Sequence, residues 1–405
     1  MHIFIIPSWF PNDENPVQGI FTKEQALAIA ELRNDWKIAI SLWGQGMNFL
    51  FLRAPKKAVS KFLRDRKKRI KKEKRIFANY YEFINFCFEW SPRVLGGNIR
   101  NVVKANDRNL LSALQEFGNI DIIHAHVSFP AGFIAKTLSE KYSIPYIITE
   151  HMSPFPFNSF LKKDGNLQAR IKEPLFKANS VIAVSPTSAK QIQSYRVPEP
   201  ICVPNVVDET FFFPKQSTRH RKGAFSFFTL GFLSPQKGID DLISGIERFL
   251  QRMEPNERGR IIFNIGGSGP DEQELKKTSE IKGLSGNIRW LGPLSRERAR
   301  DHFQNCDCFI LTSRHESFGV VYAEALACGK PVIATKCGGP EFFINDSNGV
   351  LVDVGGIDQI ADALEKVYRT IDSFNPEIIR EGFLKRFSRE VVVGEIEKVY
   401  QSVLS

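Results

Sequence analysis

Short β-rich apolar runs alternate with stretches of helical period along most of the chain. In the first half the runs are "HIFII" from His2, "WKIAISL" from Trp36, "IDIIHAHV" from Ile120, "IPYIIT" from Ile144, "SVIAVS" from Ser180 and "PICVPNVV" from Pro200. Between them, Thr22 to Leu32 and Ala131 to Lys141 carry helical spacing. The second half repeats the theme with "AFSFFTLGFL", "GRIIFNIGG", "NIRWLG", "CDCFILTS", "KPVIAT" and "NGVLVDV", each followed by a helix-compatible stretch. Strands separated by helices imply right-handed crossovers and parallel sheets covered on both faces. Two doubly wound α/β halves are therefore expected. The polar, basic tail of Val203–Gly223 is the best linker candidate.

Composition narrows this little. At 405 residues with 42% hydrophobic and 25% charged positions, the chain is ordinary globular protein and long enough for two full cores. The apolar run Ile3–Ile6 before Pro7 has neither a basic leader nor a small-residue cleavage site, so it reads as a first strand. No apolar run approaches the roughly 18 residues of a membrane span. Cys87, Cys202, Cys306, Cys308, Cys328 and Cys337 are scattered through mostly apolar segments, which points to free thiols in a reducing compartment and to the cytoplasm. Cys306 and Cys308 have no second Cys or His pair at a ligand-like spacing, so no metal site is expected.

Charge does change the picture. The net charge is +10, and the segment Arg53–Arg75 holds thirteen Lys and Arg against Asp65 and Glu73. Its apolar residues Phe62, Leu63, Ile70, Ile76 and Phe77 recur at near-heptad spacing, consistent with a helix bearing a narrow apolar stripe. Such a segment is a solvated helix face or loop, a binder of anionic membrane, or a nucleic-acid contact. Aromatics flank the cluster without interleaving, which favours membrane over nucleic acid.

The loops of the second half are chemically specific. "NIGGSGPDEQEL" sets Gly266, Gly267 and Gly269 between a strand and a helix, where amides approach a phosphate closely or where glycine merely satisfies a turn. Lys237 stands before Gly238 and a helix in the corresponding loop of an earlier unit, and a cation there suits a diphosphate. In "SRHESFGVVYAEALACGKPVIAT", Ser317, Phe318 and Gly319 supply amides at the start of a helix expected over Val320–Cys328. Glu324 lies about 9 Å further along that helix at ~1.5 Å per residue, while Glu316 stays beside the amides. A phosphate at the amides with hydroxylated rings near Glu316 and Glu324 describes a nucleotide sugar. Each carboxylate also has a plain reading, as a dipole partner or an exposed helix residue.

These motifs, in their order, resemble the family 4 retaining glycosyltransferases of the GT-B fold. The resemblance is carried by the E-x7-E of Glu316 and Glu324 with the following "GGPEFFINDSNGVLV", by "PSWFPNDENPVQGIFTKEQALAIA", "DIIHAHVSFPAGFIA", "TEH" at Thr149–His151, "SVIAVSPTSAKQI", "VPNVVDETFFFP", "GFLSPQKG", "IGGSGP" and the terminal "FSREVVVGEIEKVYQSVLS". It implies two Rossmann-like domains facing a deep cleft: an acceptor-side domain over 1–205, a linker over 206–222, a nucleotide-sugar domain over 223–382, and a terminal helix, 383–405, packing back on the first domain. It also implies that Glu316 contacts the donor sugar's hydroxyls and that Ser317, Phe318, Gly319 and Gly267 line the sugar and diphosphate. Glu324 would hold the ribose, Lys237 would neutralise the leaving diphosphate, Gly19 would let the first loop approach the donor, and His151 would contact the sugar or orient the reacting groups. Neither metal nor cofactor is implied beyond a UDP- or GDP-sugar as substrate. His124 and His126 share a strand face near the same place.

One position departs from the family. An arginine is common in the turn before the lysine, where this chain reads Gly231, Phe232, Leu233, and Ser234 or Arg314 is the candidate substitute. The expected reaction is hexosyl transfer with retention, by front-face attack, to a glycan or lipid-linked acceptor in cell-surface polysaccharide synthesis at the cytoplasmic membrane face, without nucleic acid. The alternatives are another GT-B enzyme, an epimerase or phosphorylase, or a nucleotide-sugar-binding protein impaired at Phe232.

Overall fold

The computed structural model describes residues 1–12, 15–45, 70–71 (backbone), 77–87, 98–215 and 224–405. Two compact units emerge, Met1–Val206 with Arg389–Ser405, and Val207–Ser388.

The first unit is built on a sheet in the order β3-β4-β2-β1-β5-β6-β7-β8. Its strands are β1 His2–Pro7, β2 Lys37–Leu42, β3 Ile70–Lys71, β4 Tyr80–Ile84, β5 Ile122–His126, β6 Tyr146–Glu150, β7 Ser180–Ala183 and β8 Ile201–Cys202. All pairings are parallel except β3 with β4. The two-residue period of the strands sorts their side chains onto two cores. Phe4, Ile6, Ala39, Ile123, Ala125 and Ile148 face helices Ile99–Phe117 and Phe133–Tyr142. Ile3, Ile5, Ile38, Ile122, Ile147 and Ile182 face helix Ile20–Leu32 and the terminal helix Arg389–Leu404, which buries Val392, Val393, Ile396, Val399 and Tyr400. Arg33 fastens that last helix by ion pairs to Glu397 at 2.8 Å and Glu390 at 3.3 Å.

Two strands escaped the sequence reading. In β4, "YYEFI", the acid Glu82 interrupts the apolar run, yet it is buried and accepts a hydrogen bond from the Tyr80 hydroxyl at 3.0 Å. Ile70 and Lys71, assigned by spacing to a basic helix, form β3 against Phe83 and Glu82. The rest of the basic segment, 53–69 and 72–75, lies outside the described residues.

The second unit carries an all-parallel sheet in the order β11-β10-β9-β12-β13-β14. These strands are β9 Phe225–Leu230, β10 Ile261–Gly266, β11 Ile288–Gly292, β12 Cys308–Leu311, β13 Val332–Thr335 and β14 Gly349–Val352. Stacked and edge-on aromatics, Phe227 on Phe263 and Phe228 on Phe303, fill its core. Residues 207–215, counted with the linker in the sequence reading, belong to this unit. Arg380 ties them in by donating to the carbonyls of Phe212 at 2.8 Å and Glu209 at 2.9 Å, and Phe212 is fully buried. Residues 216–223 lie outside the described residues. Residues 383–387, counted with the terminal helix, complete helix Pro376–Phe387 of the second unit.

No helix among the described residues is long and apolar enough to cross a membrane. All six cysteines are free thiols, and burial pushes that of Cys306 up to about 12.

Candidate functional site

Strand order marks a candidate crevice in each unit. In the second sheet the winding reverses between β9 and β12, and the loops at the carboxyl ends of such a pair part to leave a crevice. Lys237 comes from the loop after β9 and Glu316 from the loop after β12. Their side chains meet, with Lys237 Nζ 2.6 Å from Glu316 Oε1, and the Ser313 hydroxyl donates to the same oxygen at 2.7 Å. The Glu316 side chain is 8% exposed and that of Lys237 20%, so this ion pair is largely shielded from solvent. Its capacity is not used up. Among the described residues, Glu316 Oε2 makes no hydrogen bond and Lys237 Nζ makes one, which leaves acceptor and donor positions for a ligand.

Backbone pairing holds Glu316 in place. Its amide donates to the Cys337 carbonyl at 3.2 Å and its carbonyl accepts from the Gly339 amide at 2.9 Å, which zips the loop after β12 to the loop after β13. Arg314, a candidate replacement for the missing phosphate-binding arginine, is committed elsewhere. Its guanidinium pairs with Asp240 at 2.7 Å and Asp241 at 2.8 Å and donates to the Pro235 carbonyl at 2.6 Å. It therefore braces the turn Pro235–Lys237 that presents the lysine. Phe232 is 61% exposed on the preceding turn.

The glycine loop after β10 presses backbone to backbone against the β9 loop. Gly267 has φ of 124°, and a Cβ there would lie 1.9 Å from the Gly231 carbonyl oxygen. Only glycine permits this approach. Its amide donates to the Gly292 carbonyl at 2.8 Å, so the position has a structural duty whatever it binds.

The helix Val320–Ala327 begins at the left-handed cap Gly319, with Ser317 and Phe318 leading into it. The Phe318 ring is buried against Phe343 and Phe387, so Phe318 offers a ligand its backbone and not its side chain. Glu324, on this helix, is half-buried, and burial pushes its carboxyl up to about 7 against the opposing pull of Arg296. Sequence reasoning overlooked Arg296. It opens the helix Arg296–Asn305 that follows β11, over the rings of Phe211 at 4.8 Å and Phe212 at 5.2 Å, and no motif marks it.

The first unit reverses its winding between β1 and β5. After β1, Gly19 takes a left-handed φ of 66°, and a Cβ there would lie 2.2 Å from the Trp9 carbonyl oxygen. Two residues on, the Phe21 ring lies 4.2 Å from that of His151, which follows β6. His151 Nε2 is 3.0 Å from Nδ1 of His126 at the end of β5, and His126 stacks on His124 at 4.4 Å. His124 reaches the hydroxyls of Tyr400 and Thr149, each at 2.7 Å. All three histidines are buried, and burial lowers His124 and His151 to about 3, so the stack is neutral at ordinary pH. The backbone at His151 is oriented by Glu150, whose buried carboxylate accepts the amides of Ser128, His151 and Met152 at 2.9–3.0 Å.

The second unit thus gathers Lys237, Glu316, Ser317, Phe318 and Gly319 at the carboxyl ends of β9 and β12 with Gly267 beside them, and the first unit gathers Gly19 and His151. Among the described residues no group of three or more His, Cys, Asp or Glu side chains is placed to hold a metal ion.

Comparison with known proteins bears on the family and the fold. Residues 211–372 match the family described as Glycosyl transferases group 1, and residues 71–211 match Glycosyltransferase Family 4. An uncharacterized glycosyltransferase of Methanocaldococcus jannaschii, MJ1178, is 29% identical over 71% of this chain and 77% of its own length. A D-inositol 3-phosphate glycosyltransferase of Geodermatophilus obscurus is 28% identical over 60% of this chain, which spans 58% of that relative. Among solved structures, sucrose-phosphate synthase from Thermosynechococcus elongatus superposes with a TM-score of 0.74 at 15% identity, covering 100% of this chain and 99% of that one. Anabaena HepE in complex with UDP superposes with a TM-score of 0.68 at 19% identity, covering 99% of each. The solved structures show a shared GT-B fold, and the two family matches, which meet at residue 211, show that the chain belongs to the group 1, family 4 glycosyltransferases.

Proposed function

We propose that the protein moves a hexosyl group, with retention, from a nucleoside-diphosphate sugar to a glycan or lipid-linked acceptor in cell-surface polysaccharide synthesis. The observation that carries this reading is the Lys237–Glu316 pair at the β9/β12 switch, with donor and acceptor capacity to spare. Lys237 would hold the leaving diphosphate through its remaining N–H groups, and Glu316 Oε2 would accept from sugar hydroxyls. The amides of Phe318 and Gly319 would add to the diphosphate's neutralisation, and Glu324 would accept from the ribose.

In the reacting step the bond from the anomeric carbon to the leaving phosphate oxygen breaks, the acceptor oxygen bonds to that carbon on the same face, and the acceptor's proton passes to the leaving phosphate. A histidine held neutral, as His151 is, orients such a step by hydrogen bonding and not by carrying a positive charge. Uridine is the first nucleoside to try, because HepE is solved with UDP and with UDP-glucose.

The test is incubation with UDP- and GDP-sugars and phosphorylated or lipid-linked glycans, with the anomeric configuration of the product read by NMR. An α-linked product from an α-linked donor supports the reading, and an inverted product overturns it. The exposed Phe232 favours one rival, a protein that binds the donor without turning it over. Nucleotide binding without transfer to any acceptor would point there.

A further inference from the structure

Arg170 is the second residue of helix Ala169–Lys177, which packs on the turn Ser128–Gly132 that follows β5. Its guanidinium lies over two aromatic rings, 4.9 Å from the centroid of Phe129 and 5.7 Å from that of Phe160. Phe129 belongs to the turn after β5, and Phe160 to the turn Asn158–Phe160 in the loop after β6. The two rings meet edge to face at 5.9 Å, so they brace one another as well as the cation. Arg170 Nε is buried and has no hydrogen-bond partner.

Among the described residues no acid offsets this charge. Among the described residues Arg170 has neither an ion pair nor a hydrogen bond, and burial alone lowers its pKa. The carboxylate one turn along the same helix, Glu173, is turned to Lys136 at 3.1 Å. Glu140 is shared by Lys136 at 3.5 Å and Lys177 at 2.9 Å. A guanidinium stays charged; the Nε of this one is buried while the residue as a whole is half-buried, so its terminal amino groups are open to solvent and to a ligand. One held in a set plane by aromatic faces, with an unused fork of donors, is prepared for a planar or tetrahedral oxyanion. It stands at the carboxyl end of the first sheet, on the loops that follow the strands leading to His126 and His151.

We propose that Arg170, braced by Phe129 and Phe160, binds an anionic oxygen group of the acceptor, with a phosphate ester as the fitting chemistry. This rests on the glycosyl-transfer reading above, with the acceptor taken by the first unit. A soluble phosphorylated sugar and a lipid phosphate share that chemistry, so the two sources are separated by experiment.

The test is arginine side-chain NMR on the whole chain, with UDP saturating the donor site. Inorganic phosphate, methyl phosphate and dihexanoyl phosphatidic acid, kept below its micelle concentration, are titrated in turn. The Arg170 Nε–H resonance, assigned by its loss in Arg170→Lys, is expected to shift saturably, and Arg170→Gln to weaken binding at least tenfold. A response to methyl phosphate supports a soluble phosphorylated acceptor, and a response confined to the phosphatidate supports a lipid-linked one. A resonance that moves with none of the three, or equal affinity in Arg170→Gln, overturns the proposal. If Arg170→Gln does not fold, the wild-type resonance decides alone. UDP binding in the same sample is read separately, so failure of the donor reading is not mistaken for failure of this one.

Discussion

At the scale of single residues, two titrating or charged groups give the sharpest expectations. Glu324 is raised to about 7, so it is half protonated near neutrality. Ribose hydroxyls donate to the ionised form, so a UDP-sugar, which has no ionisation of its own near pH 7, should bind more weakly as pH falls through 7. Calorimetric titration should show affinity falling toward tenfold per pH unit below that point and level above it, with the dependence gone in Glu324→Gln. The same shift has an opposite sign for stability. An acid whose folded pKa exceeds its unfolded value costs nothing below the unfolded pKa, and the cost grows as pH rises from the unfolded value to the folded one and is constant above it. Glu324→Gln should therefore be about 2 kcal/mol more stable than wild type at pH 8 and equal to it at pH 4, by denaturant melts. Lys237→Ala should lower kcat by about 10²–10³, the usual loss when a donor to developing phosphate charge is removed. Both groups were legible beforehand, because local spacing carries them: Glu316 and Glu324 flank seven residues around one helix start, and Lys237 precedes a glycine. Arg314 and Arg170 were not legible. Whether an arginine is spent on Asp240 and Asp241, or left over rings while Glu173 turns to Lys136, depends on how separate loops pack.

At the scale of elements, glycine and the terminal helix carry the argument. Gly19→Ala drives a Cβ into the Trp9 carbonyl at a left-handed backbone, so thermal melts should show a loss of about 2–4 kcal/mol. Removing Arg389–Ser405 strips Val392, Val393, Ile396, Val399 and Tyr400 from the first sheet. At about 1.5–3 kcal/mol each this approaches a domain's whole stability, so the first unit should lose its cooperative transition while the second keeps its own in calorimetry. The strands behind these elements were readable wherever apolar residues run together, as in "HIFII" and "CDCFIL". They were unreadable at β4, where Glu82 stands inside the run and the Tyr80 hydroxyl makes its burial tolerable. The sequence placed the terminal segment against the first domain through family resemblance alone, and the contacts of Tyr400 with His124 and of Arg33 with Glu397 have no local signature.

At the scale of the whole molecule, charge and donor chemistry remain to be joined. The thirteen basic residues of Arg53–Arg75 are expected to bring the protein to anionic membrane, where a lipid-linked acceptor would be found. Co-sedimentation should be several-fold greater with anionic than with neutral vesicles and should fall with salt, whereas equal binding to both would argue against membrane docking. The central claim is that the carboxyl ends of β9 and β12, in the middle of the second sheet, hold a nucleoside-diphosphate sugar. Calorimetric titration of UDP, GDP, ADP and CMP into the wild type and Lys237→Ala tests it most directly. One nucleoside diphosphate should bind the wild type at micromolar affinity and bind Lys237→Ala at least tenfold more weakly. Binding of none of the four, or binding that ignores the loss of Lys237, would contradict the claim.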